Sequence, residues 1–103
     1  MPEYRKVCKV DEVPLGEARM YVVDGLMLGI FHTVDGYFAL DNRCPHAGAS
    51  LAGGFLEENT IRCRIHHWRF CVRDGTYLDE DKPRFNARAF PVRVVGDDVL
   101  VEF

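Results

Sequence analysis

Two short stretches of this chain each place one cysteine and one histidine close together. In "NRCPHAGASL" one residue separates Cys44 from His46, and in "RCRIHHWRFCVRDG" two residues separate Cys63 from His66. Sixteen residues lie between the two pairs. Thiolates and imidazoles are strong metal ligands, whereas a hydrophobic core has little use for two loops of this composition. The pattern therefore predicts a metal centre enclosed by two loops.

The residue types alone leave two kinds of metal centre open. Two cysteines and two histidines form a common structural zinc site, in which case the protein would be a zinc-stapled interaction module. The same four ligands also suit an iron–sulfur cluster. Cys-x-His is an unusual zinc pair, and the Gly- and Ala-rich first stretch leaves space for bridging sulfide. These two features favour iron–sulfur over zinc.

The two stretches resemble the cluster-binding loops of the Rieske iron–sulfur family. "CPHAGASL" is similar to the first loop of that family and "CRIHHWRFCVRDG" to the second. The resemblance implies one [2Fe-2S] cluster, with Cys44 and Cys63 on one iron and His46 and His66 on the other. Neutral imidazoles in place of two thiolates remove negative charge and raise the reduction potential of such a cluster.

The resemblance also identifies residues that would tune this potential. Rieske proteins of respiratory bc-type complexes have a bridging cysteine in each loop, where this chain has Ala49 and Ile65, and Ser and Tyr donors, where it has Trp68 and Phe70. A hydrogen bond to a cluster sulfur stabilises the reduced state, and Phe70 offers no donor. We therefore expect this chain to have a low reduction potential compared with other members of the family. Arg64 stands where the family usually has Pro, and its positive charge would raise the potential.

A low potential suits a protein that carries electrons from a NAD(P)H-dependent flavoprotein reductase to a terminal oxygenase. Soluble Rieske ferredoxins of aromatic-ring dioxygenase systems have this role and about this length. The resemblance thus implies a one-electron carrier, not an enzyme, that docks transiently on both partners near His46 and His66. The alternative within the family is a Rieske-like small subunit of a larger oxidoreductase such as assimilatory nitrite reductase.

Composition excludes several other classes of protein. The 103 residues suffice for one domain, with 48% hydrophobic and 28% charged side chains. The formal net charge is −3 and no run of basic residues occurs, so no nucleic-acid partner is expected. The longest apolar stretch, "GLMLGIF", is too short to cross a membrane, and "MPEYRKVCKV" lacks the apolar core of a signal peptide. We expect a cytoplasmic monomer with reduced thiols.

Frequent turn signals predict an all-β protein. Asp-Gly pairs at 24–25, 35–36 and 74–75 favour hairpins, because glycine readily takes the positive φ that these turns need. Residues 11–18 hold at most one short helical turn, since Pro14 and Gly16 interrupt them. The segments with strand character are residues 4–10, 18–23, 26–34, 37–40, 90–95 and 99–103.

These elements, with the resemblance, predict the Rieske iron–sulfur fold: short antiparallel strands in small stacked sheets with an inserted cluster-binding subdomain. We expect a single domain over 1–103. Residues 42–75 would form the cluster-binding subdomain, because they contain both Cys/His pairs and much of the glycine. Residues 1–41 and 76–103 would form a basal β scaffold.

The remaining cysteines, histidines and the tryptophan have structural interpretations. Cys8 lies in a strand pattern and Cys71 in the later part of the second stretch, and both are expected to be packed thiols without a disulfide between them. His32 lies in a predicted strand. Trp68 is expected to pack beneath the cluster loops. His67 occupies a position where the family commonly has Gly, so we expect an exposed loop residue that is strained if its φ is positive.

Overall fold

The structure, a computed structural model, describes residues 3–45, 48–65 and 67–103. Its strands form three antiparallel sheets, with the orders β1-β10-β9, β2-β3-β4-β8 and β5-β6-β7. The strands are β1 (Tyr4–Lys9), β2 (Ala18–Val23), β3 (Leu26–Thr33), β4 (Gly36–Asp41), β5 (Phe55–Glu57), β6 (Thr60–Arg62), β7 (Arg69–Cys71), β8 (Ala89–Phe90), β9 (Val92–Val95) and β10 (Asp98–Glu102). The predicted all-β class is confirmed.

Over residues 3–45, 48–65 and 67–103, helical structure is limited to two single turns. Short 3-10 helices span Val10–Glu12 and Pro83–Phe85. The first coincides with the start of the segment predicted to hold one helical turn. Within the described part of the chain, no helix has the length and apolar character needed to cross a lipid bilayer.

The Asp-Gly pair at 24–25 forms the expected tight hairpin between β2 and β3. Asp24 and Gly25 have φ values of 50° and 82°, and Val23 pairs with Leu26 across the turn. This turn type needs positive φ at both central residues, which explains why this dipeptide was a reliable signal.

The segment 90–95 was predicted as one strand, and this prediction is wrong in detail. β8 pairs with β4, whereas β9 pairs with β10 of a different sheet, and Pro91 lies between them. Proline has no backbone N–H to donate to a ladder, so the chain leaves one sheet there and joins the next. Pro91 still accepts a hydrogen bond from the Glu102 N–H (2.9 Å) through its carbonyl oxygen.

The four-stranded sheet lies between two hydrophobic cores. Leu28 and Ile30 of β3 pack into a lower core with β10 residues Val99 and Val101. Phe31, from the other face of β3, packs into an upper core. Burial of each such side chain stabilises the fold by about 1.5–3 kcal/mol. The upper core also contains Leu40, Cys44, Leu51, Ile61, Cys63, Phe70, Val72, Tyr77 and Ala87. The sheet thus forms a platform for the two cysteines.

Candidate metal centre

The first cysteine loop is closed by two backbone hydrogen bonds. The N–H of Cys44 donates to the carbonyl oxygen of Ala49 (2.8 Å), and the N–H of Gly48 donates to the carbonyl oxygen of Cys44 (2.8 Å). Gly48 has φ +70°, a conformation that glycine adopts without a Cβ penalty. An antiparallel bridge between Arg43 and Ser50 closes the base of the loop.

Asn42 fastens this loop to the platform. It is only 2% exposed, and its side chain donates to Ser50 Oγ (3.0 Å) and accepts from the N–H of Ala52 (2.9 Å). Its main chain donates to the Met27 carbonyl and accepts from the Leu51 N–H. A buried amide with its hydrogen bonds satisfied acts as a rigid clamp. Asn42 was not predicted from the sequence as a residue of the site; its signal is a polar residue directly after a strand and two positions before the cysteine.

The second cysteine loop connects β6 to β7 and closes in the same way. The N–H of Cys63 donates to the carbonyl oxygen of Trp68 (2.8 Å), again five residues further along. The backbone N–H of Ile65 donates to the sulfur of Cys63. His67 is exposed and has φ +58°. Both parts of the expectation for His67, exposure and the strained backbone, are confirmed.

The two loops bring Cys44 and Cys63 together. Their exposed fractions are 2% and 0%, neither forms a disulfide, and their thiols share a hydrogen bond. Burial raises the pKa of the Cys63 thiol, the Ile65 N–H lowers it, and the neighbouring Cys44 raises it again. Two adjacent buried thiolates repel each other, and a bound cation removes this cost. The donor set of these two residues fits one iron of a [2Fe-2S] cluster.

The two predicted histidine ligands, His46 and His66, lie outside the described residues. Among the residues that are described, no three His, Cys, Asp or Glu side chains gather as a metal-ion site, and the four-ligand set stays a prediction. The described residues nearest to the two histidines in the chain are all exposed: Pro45, Gly48, Arg64, Ile65 and His67. The described residues that flank each histidine therefore lie at the protein surface.

Aromatic packing supports the second loop from the side. Trp68 stacks on Tyr77 with 4.5 Å between ring centroids, and Phe85 packs edge-on against both rings. Asp79 accepts hydrogen bonds from Arg69 N (2.9 Å) and Nε (2.7 Å), and the side chain of Asn86 accepts from the N–H of Tyr77. The packing role predicted for Trp68 is confirmed. The supporting segment around Tyr77 and Phe85 was not predicted from the sequence.

The other cysteines and His32 have the structural surroundings predicted for them. Burial raises the pKa of the Cys8 thiol to about 11, so this cysteine stays protonated and unreactive. Cys71 is half-buried and hydrogen-bonded to Asp74, and neither cysteine forms a disulfide. His32 stacks on Tyr37 at 3.9 Å, and its Nδ1 lies 2.8 Å from the carbonyl oxygen of Val13.

Comparison with known proteins adds whole-chain similarity to this geometry. The family described as "Rieske [2Fe-2S] domain" matches residues 3–99. The biphenyl dioxygenase ferredoxin subunit of Pseudomonas sp. (strain KKS102) is 38% identical over 101 residues, covering 97% of this chain and 92% of the relative. Identity at this level over nearly the full length shows that the two proteins share the complete fold and not only the two cysteine loops.

Solved structures give the same result. The ferredoxin of carbazole 1,9a-dioxygenase from Nocardioides aromaticivorans IC177 superposes with a TM-score of 0.86 at 30% identity, covering 95% of both chains. A second match, at TM-score 0.83 and 28% identity, covers 95% of this chain and 91% of the other and comes from a complex of reduced oxygenase and oxidised ferredoxin in carbazole 1,9a-dioxygenase.

One further structural match concerns the nitrite reductase alternative. The putative NADH-dependent nitrite reductase small subunit from Mycobacterium tuberculosis superposes with a TM-score of 0.88 over 100% of this chain and 96% of the other, but at 23% identity. This likeness establishes a common fold and nothing about shared partners.

Proposed function

The chain belongs to the Rieske [2Fe-2S] domain family, and from this premise we propose that it is the one-electron carrier, or ferredoxin component, of a dioxygenase system. The observation that carries the proposal is the pair of buried, disulfide-free cysteines that two equally closed loops bring into contact. Such a protein is an electron-transfer component of an oxidoreductase system, and the reaction on the final substrate belongs to its partner.

The proposed ligands are Cys44 and Cys63 for one iron and His46 and His66 for the other. The [2Fe-2S] cluster of the family supplies a site that takes up and releases one electron reversibly. The chain contributes the burial of both sulfurs, which excludes water, and the Ile65 N–H, which stabilises charge on the Cys63 sulfur. A [2Fe-2S] cofactor decides against the zinc alternative.

The reduction potential is proposed to lie at the low end of the family's range of about −150 to +300 mV. Phe70 is fully buried in the same core as both cysteines and has no hydrogen-bond donor. Ala49 and Ile65 replace the bridging cysteines of bc-type proteins, so no disulfide joins the loops. The Asn42 clamp on one side and the Trp68 stack on the other support the loops instead.

The proposed electron route runs from a flavoprotein reductase to a terminal oxygenase, by transient docking at the exposed loop tips. The oxygenase step is supported by the relatives, which include a ferredoxin seen in complex with its oxygenase. We also propose a cytoplasmic monomer with one domain over 1–103. Its cluster-binding subdomain spans 42–75, the region that contains the complete β5-β6-β7 sheet, on a scaffold of 1–41 and 76–103.

The test is the spectroscopy of purified, anaerobically reconstituted protein. We expect two iron and two acid-labile sulfide per chain, a red-brown colour and, after dithionite reduction, the EPR spectrum of a [2Fe-2S] centre with mixed Cys/His ligands. A redox titration then measures the potential, and gel filtration distinguishes a small free protein from the subunit of a large complex. Colourless protein without iron or sulfide would refute the proposal.

A further inference from the structure

Charge is divided unequally between the two ends of this protein. Residues 42–75, which include both cysteine loops, carry five arginines and three acidic side chains, whereas the remaining residues carry eight basic and thirteen acidic side chains. The cysteine-bearing region is therefore net positive on a chain whose total charge is −3. A protein with this distribution turns its positive end toward an acidic surface as it approaches.

Three arginines in this region, Arg62, Arg64 and Arg73, are exposed and form no ion pair with a described residue, and of these only Arg64 lies in the loop between β6 and β7. Arg43 forms an ion pair with Asp41 (3.2 Å) and Arg69 with Asp79 (2.7 Å), so part of their charge is neutralised locally. Arg64 directly follows Cys63, is exposed, and makes no ion pair with any residue that the structure describes. Its guanidinium is thus available to a carboxylate of another molecule.

An apolar side chain lies beside this cation. Ile65, the next residue, is 46% exposed, although exposure of an apolar side chain to water is unfavourable. Its backbone N–H donates to the Cys63 sulfur, and this hydrogen bond stabilises the turn that presents Arg64 and Ile65. An apolar contact next to an arginine is typical of the centre of a protein–protein interface.

We propose that Arg64, with Ile65 beside it, is the specificity-determining contact for the terminal oxygenase, which presents a carboxylate-bearing surface around its electron entry site. This inference rests on the proposed function and names the chemistry of the partner at that same site. The guanidinium steers and orients the encounter, and Ile65 is covered when the two proteins meet.

Binding measurements with two charge-reversal variants test this proposal. The probe is the oxygenase of the biphenyl dioxygenase system of Pseudomonas sp. (strain KKS102), titrated with oxidised, cluster-loaded protein at about 0.01 M and 0.15 M ionic strength. Arg64→Glu is expected to raise Kd about tenfold at low salt and to weaken the salt dependence, because an exposed charge at the contact governs the encounter. Arg64→Lys should retain most of the affinity.

The matched control is Arg93→Glu, which changes the net charge equally. Arg93 is exposed in β9, distant in sequence from both loops and in another sheet, and its guanidinium lies 4.4 Å from the centroid of the Tyr4 ring. This variant should change Kd less than about twofold. Equal weakening by both variants, or wild-type affinity and salt dependence in Arg64→Glu, would overturn the inference.

Small oxidants separate this inference from the proposed function. One electron passes from the reduced protein to ferricyanide, giving ferrocyanide, or to the cationic tris(phenanthroline)cobalt(III) ion, giving cobalt(II). The rate constant for ferricyanide divided by that for the cobalt complex should fall about tenfold in Arg64→Glu, because a negative charge repels the anion and attracts the cation. The same ratio should stay unchanged in Arg93→Glu. If cluster-loaded wild-type protein passes no electron to either oxidant, the proposed function as an electron carrier is contradicted. An unchanged ratio in Arg64→Glu would contradict the role of Arg64 alone.

Discussion

The two cysteine loops have the same backbone closure but different side chains. In each loop the cysteine N–H donates to the carbonyl oxygen five residues later, and the residue four positions after the cysteine has a positive φ. That residue is Gly48 in the first loop and His67 in the second. Both loops require a positive φ at this position, since His67 adopts it in the second loop despite the steric cost of its Cβ.

The supports of the two loops also differ. A buried side-chain amide, Asn42, holds the first loop from below through two hydrogen bonds. The second loop is flanked by β6 and β7 and braced by the Trp68, Tyr77 and Phe85 rings. Hydrogen bonds of a buried amide depend on a few atoms, whereas stacked rings spread their stabilisation over many contacts. A single substitution should therefore damage the first loop more.

The largest expected effect is loss of the cluster when a single histidine ligand is removed from either loop. His46→Ala and His66→Ala should each abolish the visible absorption and the EPR signal of the reconstituted protein, because a mixed Cys/His cluster loses an iron ligand in either case. His67→Ala, one position from His66, is the matched control and should retain both signals. Cluster loss in His67→Ala with retention in His66→Ala would mean that the ligand in the second loop is His67.

The next effect concerns the clamp beneath the first loop. Asn42→Ala removes two side-chain hydrogen bonds at a site that is 2% exposed and leaves the Ala52 N–H without its partner, so we expect a loss of about 2–3 kcal/mol. This should lower the thermal midpoint of the cluster-loaded protein by roughly 10 °C, measured by loss of visible absorption.

Asn86→Ala is the matched control on the side of the second loop. Asn86 is exposed, and its side chain accepts one hydrogen bond from the N–H of Tyr77, so the loss should be about 0.5–1 kcal/mol. Equal destabilisation by the two substitutions would refute the difference in support that the comparison proposes.

The sequence predicted those parts of the fold that depend on local residue chemistry. β2 has the predicted bounds, and Asp24-Gly25 forms the predicted turn, because both depend on residues adjacent in the chain. The strands β5 to β7 were not predicted, since three residues are too few for an alternating pattern to be recognised. The change of sheet at Pro91 depends on long-range pairing, which the local sequence does not encode.

The site shows the same limit. Cys44 and Cys63 were recognised because metal ligands have a characteristic spacing, and the structure confirms that they meet in one core. Asn42 was missed because its role depends on Ser50 and Ala52, which approach it only when the loop is closed. His67 was identified because a family pattern with glycine at that position implies a backbone angle.

The smallest effect tests the shared backbone geometry of the two loops directly. Gly48→Ala introduces a Cβ at φ +70° with no atom of the described residues within 4 Å beyond its chain neighbours, so the cost is conformational and should be about 1 kcal/mol. His67→Gly relieves the same strain at φ +58° but gives the unfolded chain more freedom, so the net gain should be only about 0.5 kcal/mol. The thermal midpoint of the loaded protein should fall by about 4 °C for the first variant and rise by about 2 °C for the second. The important result is that the two changes in thermal midpoint have opposite signs. If His67→Gly destabilised the protein, the imidazole would make a contact that contributes more than the backbone strain costs.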